Sequence, residues 1–275
     1  MNYGRVPFID VRGRTVFYEL AGPRDAPVVV LGNSLGTSVH VWDAVHEGLA
    51  TSFCVLRYDM RGHGLTGVGP GPVTMPVLAA DVADLLDALG IARVRYVGLS
   101  IGGMIGQALA AAHPDRIDAL VLCATASRIG TPEVWNPRIA AVRAGGVAAV
   151  RDGVLERWFT PATHASDPDL VRGFGIMLER TPAEGYAAAC EAIRDADLAA
   201  DDARIACPVL AIAGADDPVT PPADAFALRD AIRGARADVI PGVSHIFPAE
   251  RPDAFLRLAV PFLRGAVLAG ARSSG

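Results

Sequence analysis

The chain has 275 residues, all 25 of its Lys+Arg positions are arginine, and 30 acidic residues leave a net charge of −5. The absence of lysine excludes Schiff-base and pyridoxal-phosphate chemistry, and with them the phosphate-cradling lysine of a P-loop. Without a basic surplus a nucleic-acid partner is not expected, and a side-chain cation offered to a ligand has to be a guanidinium or a protonated histidine.

Strand-like and helical runs alternate over the first part of the chain. Residues 15–20, 27–31, 54–58, 94–97 and 119–123 read as strands. Between them, residues 77–89 place Val82, Leu85, Leu86 and Leu89 at helical spacing, with Asp81, Asp84 and Asp87 on the other side. Residues 101–112 form a second helix, ended before Pro114. Strands separated by helices of this length imply a mainly parallel sheet covered on both faces. From about Ser127 to Arg204 the rhythm changes: no convincing strand occurs, and helical stretches fall at 138–142, 147–158, 170–179 and 183–196. Thr131-Pro132, Thr160-Pro161, Asp167-Pro168 and Thr181-Pro182 read as helix starts, because proline tolerates the first helical turn. The alternation returns with a strand at 208–213, a helix at 223–232, a strand at 237–240 and a helix at 252–263, leaving 264–275 as a frayed end. The expected organisation is a core in two parts, 1–126 and 206–275, with an all-helical cap at 127–205.

The 51% hydrophobic fraction contains much alanine and no apolar run of 18 residues, which points to helices and not to membrane spans. The opening residues 1–7 lack the apolar stretch of a signal peptide. Cys54, Cys123, Cys190 and Cys207 are widely separated, without metal-ligand spacing, and read as free thiols in a reducing compartment. A cytoplasmic protein without a membrane partner is the expectation.

The strongest local signal is Gly98-Leu99-Ser100-Ile101-Gly102-Gly103. The bare G-x-S-x-G pattern is weak, but here a strand precedes it and a helix follows, the setting of a nucleophile elbow. A serine needs a base that is itself held by an acid. Six histidines compete, and His245 sits in the loop after the last strand, where a site at the sheet edge collects residues. His63, in Arg61-Gly62-His63-Gly64, is its main competitor, with a fixed turn as the simpler reading. Asp216 and Asp217 follow the strand at 208–213, and Asp217 is favoured as the acid, with Asp216 stabilising the turn. Two amides are expected to form an oxyanion hole: Ile101, next to the serine, and Leu35, in the turn Asn33-Ser34-Leu35-Gly36-Thr37.

With these residues the chain resembles the α/β-hydrolase superfamily and, within it, the 3-oxoadipate enol-lactonases. The general marks are the serine motif, Arg57-Tyr58-Asp59-Met60-Arg61-Gly62-His63-Gly64 and Gly242-Val243-Ser244-His245. More specific are Asn33-Ser34-Leu35-Gly36-Thr37 followed by Trp42-Asp43, Glu133-Val134-Trp135-Asn136, Arg157-Trp158-Phe159-Thr160-Pro161 and Glu184-Gly185-Tyr186. The similarity runs from about Phe8 to Leu263 and includes the helical stretch. It implies an α/β-hydrolase fold, with Ser100 as nucleophile, His245 as general base and Asp217 as orienting acid. It also implies hydrolysis of a lactone bearing a carboxylate arm, through an acyl-enzyme, with no metal or organic cofactor. The arm would need an arginine, for which Arg128, Arg138 and Arg194 are candidates, and Trp135 and Trp158 would wall the pocket. The core motifs equally permit a carboxylesterase, a C–C bond hydrolase or a cofactor-free perhydrolase, and a binding sensor that keeps the three residues is a further reading.

Overall fold

The computed structural model describes residues 7–270. Residues 1–6, part of the segment without an apolar leader, and residues 271–275, at the expected frayed end, lie outside them. Strands β1 (Phe8–Val11) and β2 (Arg14–Ala21) form an antiparallel hairpin, its turn made by Arg12 and Gly13 at φ of 53° and 78°. Then come β3 (Val28–Gly32), a single 3-10 turn (Val39–Trp42), α1 (Asp43–Ala50), β4 (Cys54–Tyr58) and α2 (Met75–Ala88). The run β5 (Val94–Leu99), α3 (Ile101–Ala112) and β6 (Ile117–Cys123) completes the first part of the core.

Helices α4 (Pro132–Gly145), α5 (Arg151–Trp158), α6 (Pro161–Ser166), α7 (Pro168–Glu179), α8 (Ala183–Asp195) and α9 (Ala199–Asp202) occupy the chain between β6 and the next strand. The core then resumes with β7 (Val209–Gly214), α10 (Pro222–Ala231), β8 (Arg236–Ile240), α11 (Phe247–Glu250) and α12 (Pro252–Gly270). The strands make one sheet in the order β1-β2-β4-β3-β5-β6-β7-β8, antiparallel at β1-β2 and β2-β4 and parallel from β4 onward. Strands β4, β5 and β7 are buried at every residue, as strands covered by helices on both faces must be. Because β3 neighbours β5, the loops leaving their C-terminal ends meet at the centre of one sheet edge. Among the described residues no helix is long and apolar enough to cross a membrane. Cys54, Cys123 and Cys190 are buried free thiols, and Cys207 is a partly buried one.

Several elements depart from the sequence reading. Strand β1 was not expected, since it is short and largely exposed on a sheet edge. Helix α4 begins at Pro132, six residues before the periodic stretch, and the short helices α6 and α9 carry too few apolar positions to announce themselves. Thr131, Thr160 and Asp167 are N-caps with proline in the first turn, but Thr181 is not, because α8 starts only after Pro182. Residues 264–270 continue α12 instead of fraying.

The two chain crossings that flank α4–α9 are tied together. The Ser127 hydroxyl donates to Asp202, and the Leu198 N–H donates to the Ser127 carbonyl at 2.9 Å. Asp202 is fully buried and its Oδ1 has no partner, so burial pushes its carboxyl up to about 6, against the lowering effect of the Ser127 hydrogen bond. The raised value means that the folded chain prefers the protonated form. The stability this group contributes is complete below about 4 and is lost as pH rises through about 6. Asp202→Asn keeps the acceptor for Ser127 and removes the buried charge. It should raise Tm by about 2–4 °C at pH 8, the scale of 1 kcal/mol in a chain of this size, with a smaller gain at pH 5. Thermal melts at the two pH values check this.

Candidate active site

Ser100 stands between β5 and α3 at φ 58° and ψ −119°, a conformation a non-glycine residue adopts only where surrounding structure forces it. The force comes from close main-chain packing. A Cβ on Gly98 would lie 2.2 Å from the Gly102 carbonyl oxygen, and one on Gly102 would lie 2.3 Å from that of Gly32. The turn is pinned by the Ser100 N–H, which donates to the Cys123 carbonyl at 2.8 Å. The Thr125 hydroxyl donates to the Ser100 carbonyl, also at 2.8 Å. Ile101 is the first residue of α3, so its amide has no partner within the helix.

The loop after β3 is shaped by its own polar side chains. Asn33 donates to the Tyr58 carbonyl at 2.8 Å and accepts from the Trp42 indole at 3.0 Å, while the Thr37 hydroxyl donates to the Ser34 carbonyl at 2.8 Å. Gly36, at φ 74°, turns the chain under Leu178 and Tyr186. Leu35 and Ser100 line the same cavity, and neither the Leu35 nor the Ile101 amide donates within the described backbone network.

His245 is buried in the loop between β8 and α11, and its Nδ1 donates to Asp217 Oδ2 at 2.8 Å. Asp217 also accepts from the Val219 and Thr220 amides at 2.8 and 3.2 Å and from the Thr220 hydroxyl at 2.7 Å. Burial alone would raise its carboxyl. The His245 ring and these hydrogen bonds together outweigh burial and hold it below the usual carboxylate range. Asp216 is exposed and only closes the turn, its amide donating to the Val243 carbonyl at 3.0 Å. His63 is fully buried with Nδ1 at 3.1 Å from the Arg61 carbonyl, and burial lowers its ring to about 4. It belongs to a turn and does not line the cavity.

The cavity over Ser100 has a volume of about 30 Å³. Ser100, His245 and Leu35 form its floor, and Trp135, Arg138, Arg157, Trp158 and Tyr186 its roof. A larger groove of about 720 Å³ runs between α7 and the 3-10 turn, but neither Ser100 nor His245 lines it. Among the described residues no cluster of side chains could hold a metal ion.

The arginine expectations divide. Arg138 faces the cavity, its guanidinium 5.3 Å from the Trp135 ring and 5.6 Å from the Tyr186 ring, and its Nε is buried without a partner. Arg128 and Arg194 do not line the cavity. Arg128 is exposed and faces Asp197 at 3.6 Å, and Arg194 is spent on Asp195 and Asn136 at 2.7–2.9 Å. Arg157 was not anticipated. Burial lowers its guanidinium and the like charge of Arg138 lowers it further. Neither Arg138 nor Arg157 has a carboxylate partner among the described ion pairs, and the Tyr186 hydroxyl above the same cavity is also unpartnered.

Residues 27–144 match the family model described as alpha/beta hydrolase fold. A 3-oxoadipate enol-lactonase of Acinetobacter baylyi is 37% identical over 86% of this chain and 89% of its own length. The chain belongs to the α/β-hydrolase family. Among solved α/β hydrolases, the enol-lactonase from Burkholderia xenovorans LB400 superposes with a TM-score of 0.92 at 44% identity, over 94% of this chain and 100% of that one. The similarity is broader than one substrate. A pimeloyl-[acyl-carrier protein] methyl ester esterase of Chromobacterium violaceum is 32% identical over 84% of this chain and 91% of its own.

The elbow packing of this hydrolase sets a sharp stability test. Gly102→Ala would press a methyl group into main-chain oxygens of Gly32 and Asn33, at 2.3 and 2.8 Å, which cannot swing away. A loss of about 4 kcal/mol, or roughly 10 °C in Tm, is expected. Gly173→Ala, on α7 with open space around the added methyl, should be neutral or slightly stabilising. Thermal unfolding of the pair checks both.

Proposed function

We propose that the protein hydrolyses an enol-lactone carrying a carboxylate arm, 3-oxoadipate enol-lactone being the reading its relatives favour, with Ser100, His245 and Asp217 as a catalytic triad. The observation that carries this reading is the arginine pair. Arg138 and Arg157 wall the cavity above Ser100 without a carboxylate partner, so two like charges repel one another in a nearly closed space until an anion joins them. An uncharged ester would leave that cost standing, whereas a carboxylate arm relieves it and can accept from the unpartnered Tyr186 hydroxyl.

In this reading His245 takes the Ser100 proton as Oγ attacks the lactone carbonyl, and Asp217, ionised well into the acid range, stabilises the imidazolium. The Ile101 and Leu35 amides receive the negative oxygen, a contribution on the order of 3 kcal/mol. Collapse breaks the ring C–O bond and expels an enolate, which takes up the proton and tautomerises to a ketone. Water, deprotonated by His245, then attacks the acyl ester and releases the dicarboxylate product and Ser100. At about 30 Å³ the cavity has room for a water or two and not for a lactone. The helices between β6 and β7 therefore act as a cap that shifts to admit substrate.

Two outcomes test the reading. Ser100→Ala should abolish turnover while retaining ligand affinity, followed by the ultraviolet loss of the enol-lactone and by calorimetric titration with a product analogue. Arg138→Ala should raise KM for the anionic lactone about tenfold or more while leaving kcat/KM for a p-nitrophenyl ester within about twofold. Equal losses on the two substrates would contradict carboxylate recognition. Faster turnover of a methyl ester than of any lactone would favour the esterase reading, to which the 32% identity with the Chromobacterium esterase lends support.

A further inference from the structure

His245 is held on one side by Asp217, but the loop that carries it is held by α5. The Ser244 hydroxyl donates to the Arg157 carbonyl at 2.8 Å, and the Ile246 N–H donates to the Trp158 carbonyl at 3.0 Å. The residues flanking His245 are thus bonded to the two positions whose side chains wall the cavity. Glu250, at the end of α11, closes this arrangement. Its Oε2 accepts from the Ser244 N–H at 2.6 Å. Its Oε1 accepts from the Thr160 N–H at 2.8 Å, the Thr160 hydroxyl at 3.0 Å and the Thr163 hydroxyl at 2.7 Å.

We propose that Glu250 is a positioning residue for His245: its carboxylate locks the general-base loop to the start of α6, beside the end of α5 that Ser244 and Ile246 hold, so that the base and the wall bearing Arg157 and Trp158 form one rigid unit. The proposal rests on the triad reading above. A carboxylate is the group the site requires, because both faces meet N–H donors that cannot accept. A glutamine that turns its oxygen to the Ser244 amide turns its NH2 toward the Thr160 amide, and the reverse orientation fails at Ser244. Four donors on one carboxylate are more than holding a helix end needs, and three of them come from a segment about 90 residues away in sequence. The geometry makes Glu250 act on the position of the imidazole and not on the substrate, since it does not line the cavity.

The experiment is steady-state kinetics of Glu250→Ala and Glu250→Gln on the anionic lactone and on a neutral p-nitrophenyl ester, per active site titrated and well below Tm. Displacing the base by a fraction of an ångström to 1 Å should lower kcat about 10- to 100-fold on both substrates, with KM within about twofold. Phosphonylation of Ser100 by a fluorophosphonate should slow in parallel, and Glu250→Gln should fall between wild type and Glu250→Ala. A kcat within about threefold of wild type, or a loss confined to KM, overturns the proposal even if Tm has dropped. Should Glu250→Ala fail to fold, Glu250→Gln and Thr163→Val, which removes one donor without changing shape, carry the same comparison. Ser100→Ala and His245→Ala run alongside. Turnover surviving in either overturns the triad and this proposal together, whereas inactive triad variants beside an unimpaired Glu250→Ala overturn only this one.

Discussion

Main-chain segments can approach one another to van der Waals distance only where no Cβ stands between them, and the active-site edge of this protein is built on that constraint. Gly98 and Gly102 allow the turn after β5 to fold back on itself and to press against the end of β3 at Gly32. The compressed turn holds Ser100 in a left-handed conformation costing about 1–3 kcal/mol, which the buried sheet around it supports. The same approach brings the loop after β3 beside the first turn of α3. Leu35 and Ser100 thereby line one cavity, with the Ile101 amide next along the chain from the serine, and neither loop could offer that arrangement alone.

The second organising element is electrostatic. A chain without lysine offers its side-chain cations chiefly as guanidinium groups, and many of its arginines, at the surface and buried alike, are paired with carboxylates. Arg138 and Arg157 are the contrasting case. Arg138 leans on the Trp135 and Tyr186 rings, and burial together with the like charge of Arg138 opposes the charge of Arg157. On the function proposed above, two cations and an unpartnered phenol would discriminate by charge before shape. The helix that supplies Arg157 also grips the loop of His245, so the cavity wall and the His245–Asp217 pair share a physical support.

Readability from sequence followed the range over which each signal acts. The elbow was legible because a strand, a turn and a helix are consecutive, whereas two adjacent aspartates differ only in which one faces His245, and that facing is a property of the folded turn. Strand β1, the extension of α12 and the short helices α6 and α9 were not legible, since brief or exposed elements leave little hydrophobic periodicity. The arginines show the limit most clearly. Arg128, Arg138, Arg157 and Arg194 lie in similar helical or hinge contexts, and nothing in their spacing separates the two that are paired from the two that are not.

The sequence by itself determined the alternation of the main strands and helices, the serine motif between a strand and a helix, and the restriction of side-chain cations to arginine or a protonated histidine. These are properties of neighbouring residues and of composition, and they hold before the chain is folded. Only the tertiary structure decided which arginines lack a carboxylate, that His63 is fully buried away from the cavity, and that Glu250 joins the start of α6 to the His245 loop. Each of those depends on segments tens of residues apart meeting at hydrogen-bonding distance, where a one-ångström shift makes or removes the bond.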